Sequence, residues 1–419
     1  MSRPLLPHEV HVPAWIRASE MQAHADGFVR HLFDQGYRKS TILPYRAAVA
    51  HFAHWMTIRK VPVCDLNEVV IERFIAKHLP VCHCGALQQR WPHTVRAALR
   101  ALLRFLRAQR VVGPGCSVDP PAIVKELQAF EHYQKHVCGH TQATRTVSRL
   151  RVRAFLVGCF GPRDIRMDEL SAKDVMRFID RYTANCTPRS RYTIGRSIRG
   201  YLRFKALTEP YAEVLCERLP KVAQWRLASL PKSLTTAESE AVLAVARCQD
   251  PTSRRDYAIL RCLNDLGLRT VEVARLQLDD FDWQAGTVRI RGKGHRLDVL
   301  PLPASTGKAI TDYIQHGRPR EAGRALFYRH APPHWVPATV FVVRAAVRTA
   351  AKQAGLAERI GGPHIFRHTV AQRLVQRRAS LKAVADLLRH RSLVSTRVYA
   401  KVDLPALATV ALPWPGRRI

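Results

Sequence analysis

The first half of the chain carries one pattern twice, and this restricts the fold more than any other feature. Gly36-Tyr37-Arg38-Lys39-Ser40-Thr41, followed by Phe52, is matched by Gly139-His140-Thr141-Gln142-Ala143-Thr144, followed by Phe155; both matches are offset by 103 residues. Arg73-Phe74-Ile75 is matched by Arg177-Phe178-Ile179 at an offset of 104, and Leu103-Arg104-Phe105 by Leu202-Arg203-Phe204 at 99. The changing offset gives the first copy about five extra residues, between its third and fourth helices. Helical periodicity dominates from about residue 20 to about 220. Each copy therefore reads as a four-helix unit of about 90 residues, the size of a small domain. Two unrelated amphipathic bundles sharing short matches is the competing reading.

The extra stretch of the first copy reads His78-Leu79-Pro80-Val81-Cys82-His83-Cys84-Gly85, with His93 beyond it. Cysteine and histidine this close are able to bind zinc. The Cys-x-Cys pair is tight and no second pair is evident, so a loop whose thiols pack inward stands beside the zinc reading. The sequence assigns no metal and no cofactor.

A chain of 419 residues is too long for one core, so two or three domains are expected. Residues 1–19 read as an irregular leader, with Pro4, Pro7 and Pro13 discouraging helix. The first helical domain is set at 20–115 and the second at 116–216. A linker over 217–232 contains Pro220 and Pro231. Its positive charge suits a strap along DNA, and equally an ordinary solvated linker. The second half, 233–405, forms a further domain, and 406–419 is a tail containing Trp414.

Charge decides the class of partner. Lys and Arg number 67 against 33 Asp and Glu, a net charge of +34 and a pI near 10.7. So large an excess points to a polyanion, most simply nucleic acid. No apolar run approaches the roughly 18 residues of a spanning helix, and the N-terminus lacks an apolar signal core. A cytoplasmic protein without a membrane partner is expected. The ten cysteines are scattered, as in free-thiol usage rather than a disulfide framework.

In the second half, Thr235-Thr236-Ala237-Glu238 is a capping-box pattern that opens a helix. Helices are expected over about 236–247, 254–266, 271–278, 304–316, 337–354, 364–378 and 381–389. Residues 287–291 and 296–300 read as two strands, with Gly292-Lys293-Gly294 at their turn. The fold class is thus mainly α, tandem helical bundles followed by an α-rich domain with a small β-sheet.

The chemistry concentrates near the C-terminus. His364-Ile365-Phe366-Arg367-His368 opens a helical run, Leu387-Leu388-Arg389-His390-Arg391 follows, and then Thr396-Arg397-Val398-Tyr399. His364 and Arg367, three residues apart, share one helix face. Arginine is a permanently charged fork that fits phosphate oxygens, histidine moves protons near neutral pH, and tyrosine is a covalent nucleophile when assisted. Upstream, Arg269 in Gly267-Leu268-Arg269-Thr270 is followed by Lys293 after 24 residues.

The ordered set Arg269, Lys293, His364-x-x-Arg367, His390, Tyr399 resembles the tyrosine recombinase (phage integrase) family over roughly residues 230–405. Each motif alone is weak; six in order are specific. The resemblance implies a site-specific DNA recombinase or integrase that cleaves and rejoins double-stranded DNA through a 3′-phosphotyrosine, for the movement of a mobile element. Arg269 and Arg367 would hold the non-bridging oxygens of the scissile phosphate. Lys293 would protonate the leaving 5′ oxygen, His364 would act as acid/base, His390 would donate to the phosphate, and Tyr399 would attack. Neighbouring cations would favour the phenolate as attack proceeds. A tetramer on two DNA sites is implied as well, with the tail docked on a neighbouring protomer or, equally, packed in cis. The second helical domain would clamp the far side of the duplex.

Two positions depart from the family pattern. Arg389 stands where glycine is usual before the second histidine, and would strain a left-handed turn or add a phosphate contact. Val271 stands where a small residue is usual. A type IB topoisomerase-like enzyme and an accessory DNA-binding recombinase with weakened catalysis remain as alternatives. A metal-dependent nuclease would need Asp279, Asp280 and Asp282, which cluster in one turn and read more simply as a polar connection.

Overall fold

A computed structural model describes residues 14–84, 91–113, 119–219, 231–292, 297–320, 323–334, 336–389 and 396–400. It divides into two compact units, one formed from residues 1–28 and 43–226, the other from residues 29–42 and 227–419.

The first half is helical among the described residues. Helices α1 (Ala14–Arg17), α2 (Gln22–Asp34), α3 (Lys39–Ile58), α4 (Glu68–Arg73) and α5 (Pro92–Ala108) come first. Helices α6 (Pro121–His136), α7 (Gln142–Cys159), α8 (Ala172–Thr183), α9 (Pro188–Lys205) and α10 (Tyr211–Arg218) follow. Apart from α1 and α10, which have no counterparts, the two sets repeat in order. In each, two long helices precede a single 3₁₀ turn, Val63–Asp65 in one and Met167–Glu169 in the other. A short helix and a long one complete the pattern. Gly36 (φ 78°) lies between α2 and α3, and Gly139 (φ 61°) between α6 and α7, the corresponding point of each set. Only glycine enters that left-handed conformation without strain.

Side-chain packing repeats as well. Phe52 meets Phe74 edge-on at 5.0 Å, and Phe155 meets Phe178 edge-on at 5.3 Å. Phe28 lies 5.7 Å from Phe105, and Phe130 lies 5.5 Å from Phe204. Edge-to-face ring pairs are favoured by the aromatic quadrupole, so the phenylalanines that mark the repeat also form its core. The second set adds Val152, Leu156, Val175, Ile198 and Leu202, buried on the inner faces of α7, α8 and α9. Helix α8 starts at a capping box in which Ser171 and Asp174 satisfy each other's backbone N–H. The sets differ after α4 and α8. In the second, residues 184–187 link α8 to α9, whereas α4 passes into a π-helical turn (Phe74–His78) and a 3₁₀ turn (Leu79–Val81).

The second half holds α11 (Thr236–Val245), α12 (Pro251–Leu266) and α13 (Thr270–Ala274), then strands β1 (Phe281–Asp282), β2 (Thr287–Arg291) and β3 (Leu297–Pro301). Helices α14 (Ala304–His316), α15 (Val340–Gln353), α16 (His364–Gln376), α17 (Leu381–Leu387) and α18 (Arg397–Ala400) complete it. The expected capping box at Thr235 and Glu238 starts α11. Asp250 caps α12 through the N–H groups of Thr252 and Ser253, and Pro251 supplies the first turn. The sheet is antiparallel in the order β1-β2-β3, with Val288 opposite Phe281 on one side and Leu300 on the other. Val288 and Ile290 alternate inward, each burial contributing about 1.5–3 kcal/mol. Strand β1 was not expected, because its two residues sit inside a run that reads as a polar turn. Helix α13 is also shorter than the expected 271–278, and Leu278–Asp280 forms a 3₁₀ turn instead.

Among the described residues, no helix is long and apolar enough to cross a membrane.

Candidate active site

Helix α16 positions the site because it is buried around most of its circumference. Ile365, Phe366, Thr369, Val370, Ala371 and Val375 are all buried, and so is Arg367. A guanidinium in such a helix needs acceptors nearby. Arg367 is 2% exposed. Its Nη1 donates to the Gly267 carbonyl at 2.7 Å, and its Nη2 donates to the Leu388 carbonyl.

Gly267 ends α12 at φ 58°, and a Cβ there would lie 3.0 Å from Leu388 Cδ2. Glycine is thus required twice over, by its conformation and by the close approach of the 388–389 turn. That tight turn out of α12 also delivers Arg269 to the start of α13. Arg269 Nη1 donates to Glu272 Oε1 at 2.6 Å, and its backbone N–H donates to Glu272 Oε2 at 2.8 Å. Its Nη2 donates to the Arg389 carbonyl at 3.1 Å. The two arginines of the expected set are therefore held on successive carbonyls of one turn.

Arg389 closes α17 at φ 54°, so the residue found in place of glycine does occupy a left-handed conformation. Its side chain turns inward, and Nη2 pairs with Glu272 Oε2 at 2.7 Å. Of the two expectations for Arg389, backbone strain matches the structure. The side chain is committed to Glu272 rather than extended toward a ligand.

Glu272 is buried at 4% exposure. Burial works to raise its pKa, but Arg389, the Arg269 N–H and the Arg269 guanidinium outweigh it and hold the carboxyl below its ordinary value. Two guanidiniums, of Arg269 and Arg389, thus share one carboxylate, with that of Arg367 close by on the Gly267 and Leu388 carbonyls. Burial, with repulsion from Arg269 and Arg389, pulls Arg367 down to about 9. A group carrying negative charge would relieve that repulsion.

Tyr399 packs against the outer side of α16 with Val370, Ala371, Val375, Val384 and Leu388, and is 2% exposed. Its hydroxyl lies 2.8 Å from His368 Nδ1. Burial pushes the Tyr399 phenol up to about 12, against the opposing pull of Arg367. Arg367 thus favours the phenolate and burial opposes it. Burial, with repulsion from His364 and Arg367, brings His368 down to about 4, so the ring is neutral at pH 7. The protonated hydroxyl donates to Nδ1 in the tautomer that carries its proton on Nε2. His364 is solvent-exposed at the head of α16, with its ring 4.6 Å from that of His368.

Arg269, His364, Arg367 and Tyr399 of the expected set are brought to this one region. Lys293 and His390 lie outside the described residues, as do residues 401–419 with Trp414. Val271 is on the exposed side of α13. Sequence reasoning did not single out His368 as the partner of Tyr399, nor Glu272 as the group that braces Arg269 and Arg389. The spacing carries a trace of both: His368 is one turn beyond His364, and Glu272 is the third residue after Arg269. The aspartates of the 279–282 turn are each engaged structurally. Asp279 binds Arg324 Nε at 2.9 Å, Asp280 binds Arg291 at 2.8 Å, and Asp282 accepts the Ala285 N–H at 2.9 Å.

The arrangement gathers two arginines, two histidines and a tyrosine around one turn, and comparison with known sequences identifies the family as one of enzymes that break and rejoin DNA strands. The Phage integrase family profile matches residues 232–404. The chain is 34% identical over 391 residues to the provisionally named integrase/recombinase y4rA of Sinorhizobium fredii (strain NGR234), covering 93% of each. It is 30% identical over 408 residues to a second such protein of that strain, y4rF, covering 96% of this chain and 93% of that one. The protein therefore belongs to the phage integrase, or tyrosine recombinase, family, whose activity is site-specific DNA recombination and integration. Among solved structures, the XerH site-specific recombinase bound to a palindromic difH substrate (post-cleavage complex) aligns with a TM-score of 0.54. The identity is 19%, over 81% of this chain and 94% of that one, a likeness of fold.

Proposed function

We propose that the protein binds double-stranded DNA at two sites as a tetramer in the bacterial cytoplasm and exchanges strands through a 3′-phosphotyrosyl intermediate on Tyr399, moving a mobile element. The observation that carries this reading is the 388–389 turn, where Arg269 and Arg367 are pinned to adjacent carbonyls beside the tyrosine.

In this reading the scissile phosphate occupies the charge surplus left by three arginines around one glutamate. Arg269 and Arg367 hold its non-bridging oxygens. Tyr399 Oη forms a bond to phosphorus while the bond to the 5′ oxygen breaks. The tyrosine proton leaves through a histidine of the 364–368 turn, and Lys293 supplies the proton that the 5′ oxygen takes up. His390 donates to the phosphate. Rejoining reverses each step, and the phosphotyrosine bond conserves the energy of the broken linkage, so ATP has no role. The helical units of residues 20–115 and 116–216 grip the duplex, the second clamping the side opposite the chemistry. Residues 406–419 dock on a neighbouring protomer. Positive donors aimed at charge that develops on the phosphate supply the main part of the rate.

The test is denaturing electrophoresis of a labelled, nicked recombination site incubated with the protein in EDTA. A covalent adduct is expected with the native protein and none with Tyr399→Phe, which keeps the ring and removes only the attacking oxygen. DNA affinity should hardly change, because basic side chains on the phosphates supply most of the binding. An adduct that persists in Tyr399→Phe, or an absolute need for magnesium, overturns the proposal.

A further inference from the structure

Away from the catalytic residues, the first helical set gathers two histidines and two cysteines in its interior. His51 lies on α3, His78 ends the π-helical turn, and Cys82 and Cys84 follow in the segment that the second set lacks. One potential ligand atom from each lies within 4.8 Å of every other. His78 Nε2 is 3.3 Å from His51 Nε2, and His51 Nε2 is 3.1 Å from Cys82 Sγ. Cys84 Sγ is 3.7 Å from His78 Nε2.

These separations are those of ligands around one small cation. Zinc binds imidazole nitrogen at about 2.0–2.1 Å and thiolate at about 2.3 Å, and a tetrahedron built on such bonds has N···N edges of about 3.3 Å and N···S edges of about 3.6 Å. The observed distances fall around those values. We infer that His51, His78, Cys82 and Cys84 form a closed tetrahedral site for zinc(II) or a cation of the same borderline-soft class.

The surroundings support the assignment. His51 is fully buried and Cys82 nearly so, while no carboxylate belongs to the cluster. Two thiolates and two imidazoles suit zinc and disfavour magnesium and calcium, which take oxygen ligands. The Cys84 N–H lies 3.3 Å from Cys82 Sγ, a donor directed at the sulfur that a thiolate ligand accepts. Phe74 stacks on the His78 ring at 5.2 Å and meets the His51 ring edge-on at 5.1 Å. Aromatic rings thus fix the imidazole planes and keep water from one side. The π-helical turn is the local device: its wider turn ends with His78 turned toward His51, and such turns recur at functional sites.

With all four positions taken by protein side chains, no place is left for substrate, so the role is structural. The ion would tie the extra segment back onto α3. It would replace, in the first set, the short direct link between third and fourth helices that the second set has. Each zinc bound would displace the thiol protons of Cys82 and Cys84.

The experiment uses the full-length protein purified under reducing conditions after expression with added zinc. Inductively coupled plasma mass spectrometry should find about one zinc per chain. Cys82→Ser combined with Cys84→Ser should lower this to below about a tenth, whereas Cys64→Ser and Cys138→Ser, both at exposed thiols, should leave it unchanged. Native protein exchanged into cobalt(II) gives a second measurement that needs no variant. It should show the visible ligand-field bands of a tetrahedral ion and thiolate-to-cobalt charge transfer in the near ultraviolet. Absence of both stoichiometric zinc and the cobalt spectrum overturns the inference. So does zinc retained in full by the double variant, or a disulfide between Cys82 and Cys84 in the reduced, metal-supplemented protein. None of these measurements involves DNA, so the result is independent of the catalytic proposal.

Discussion

The second helical bundle and the catalytic unit both bury an apolar core, but the catalytic unit buries a cluster of arginines and a glutamate beside it. In the bundle, Phe130, Phe155 and Val152 fill the interior, with rings meeting rings. In the catalytic unit, α16 carries Arg367 into the interior, and Glu272 and Arg389 are buried beside it. Hydrophobic burial holds the first together at about 25 cal/mol per Å² of apolar surface. Burying charge costs several kcal/mol per ion before pairing offsets it. A fold carries such a cost where the charges do something that apolar packing cannot. The contrast teaches where to look for function: packing in the bundle serves shape, and the proposed phosphate site lies at the turn of Leu388 and Arg389, where the buried charge is gathered.

Breaking the bundle should give the largest energetic effect with the least chemical meaning. Phe155→Ala removes a fully buried ring from the contact with Phe178 and should destabilise the protein by about 3–5 kcal/mol in urea unfolding. The fraction that stays folded should still cleave DNA at its native rate. A lost rate in fully folded protein would show that this bundle takes part in the chemistry.

Arg367→Ala should do the reverse. Cleavage of a nicked site in a single turnover should slow by about two to three powers of ten, the usual effect of losing a charge-stabilising donor. Arg367→Lys should recover only part of the rate, since one ammonium cannot serve both the Gly267 and Leu388 carbonyls as the planar fork does. A rate within a factor of a few of the native one in either variant would remove Arg367 from the phosphate site.

A smaller effect should appear with pH. His368 has its pKa lowered from 6.5 to about 4 by burial and by repulsion from His364 and Arg367. A depressed folded-state pKa contributes stability that is present above the unfolded value and is lost as pH falls through the folded one. Stability should therefore decline between about pH 6.5 and about pH 4, and His368→Gln should flatten that part of the profile. Unfolding midpoints measured across this range check it, and an unchanged slope in the variant would assign the acid loss to other groups.

The smallest effect on cleavage is expected at Arg389. Arg389→Gly relieves the left-handed backbone but removes one of the two arginines bonded to the buried Glu272, and should destabilise the protein by about 1–3 kcal/mol. DNA cleavage should persist. A fall of several powers of ten would show that the Arg389 side chain reaches the phosphate after all.

Much of the catalytic half was legible in the sequence because its signals are local. The capping box at Thr235, the strands around residue 290 and the His-x-x-Arg pair all depend on spacing within a few residues. The repeat was legible for the same reason: Phe52, Phe74, Phe155 and Phe178 mark positions that later prove to be ring contacts. What escaped depends on groups far apart in the chain. The histidine completing the Cys82 and Cys84 cluster is His51, on a helix well before them, rather than the nearby His83 or His93. The hydrogen bond between His368 and Tyr399, and the shared glutamate under Arg269 and Arg389, arise when α13, α16, α17 and α18 fold together. Burial of Tyr399 was likewise invisible, since its pKa reflects surroundings and not its neighbours in sequence.

The most direct measurement is to locate the DNA-linked residue. Adduct trapped on a nicked site in EDTA is digested with trypsin and nuclease and read by mass spectrometry. The peptide Val398-Tyr399-Ala400-Lys401 should carry a nucleotide joined through its 3′ phosphate to the tyrosine oxygen. The same nucleotide on any other residue, or cleavage with no residue modified, would contradict the central claim.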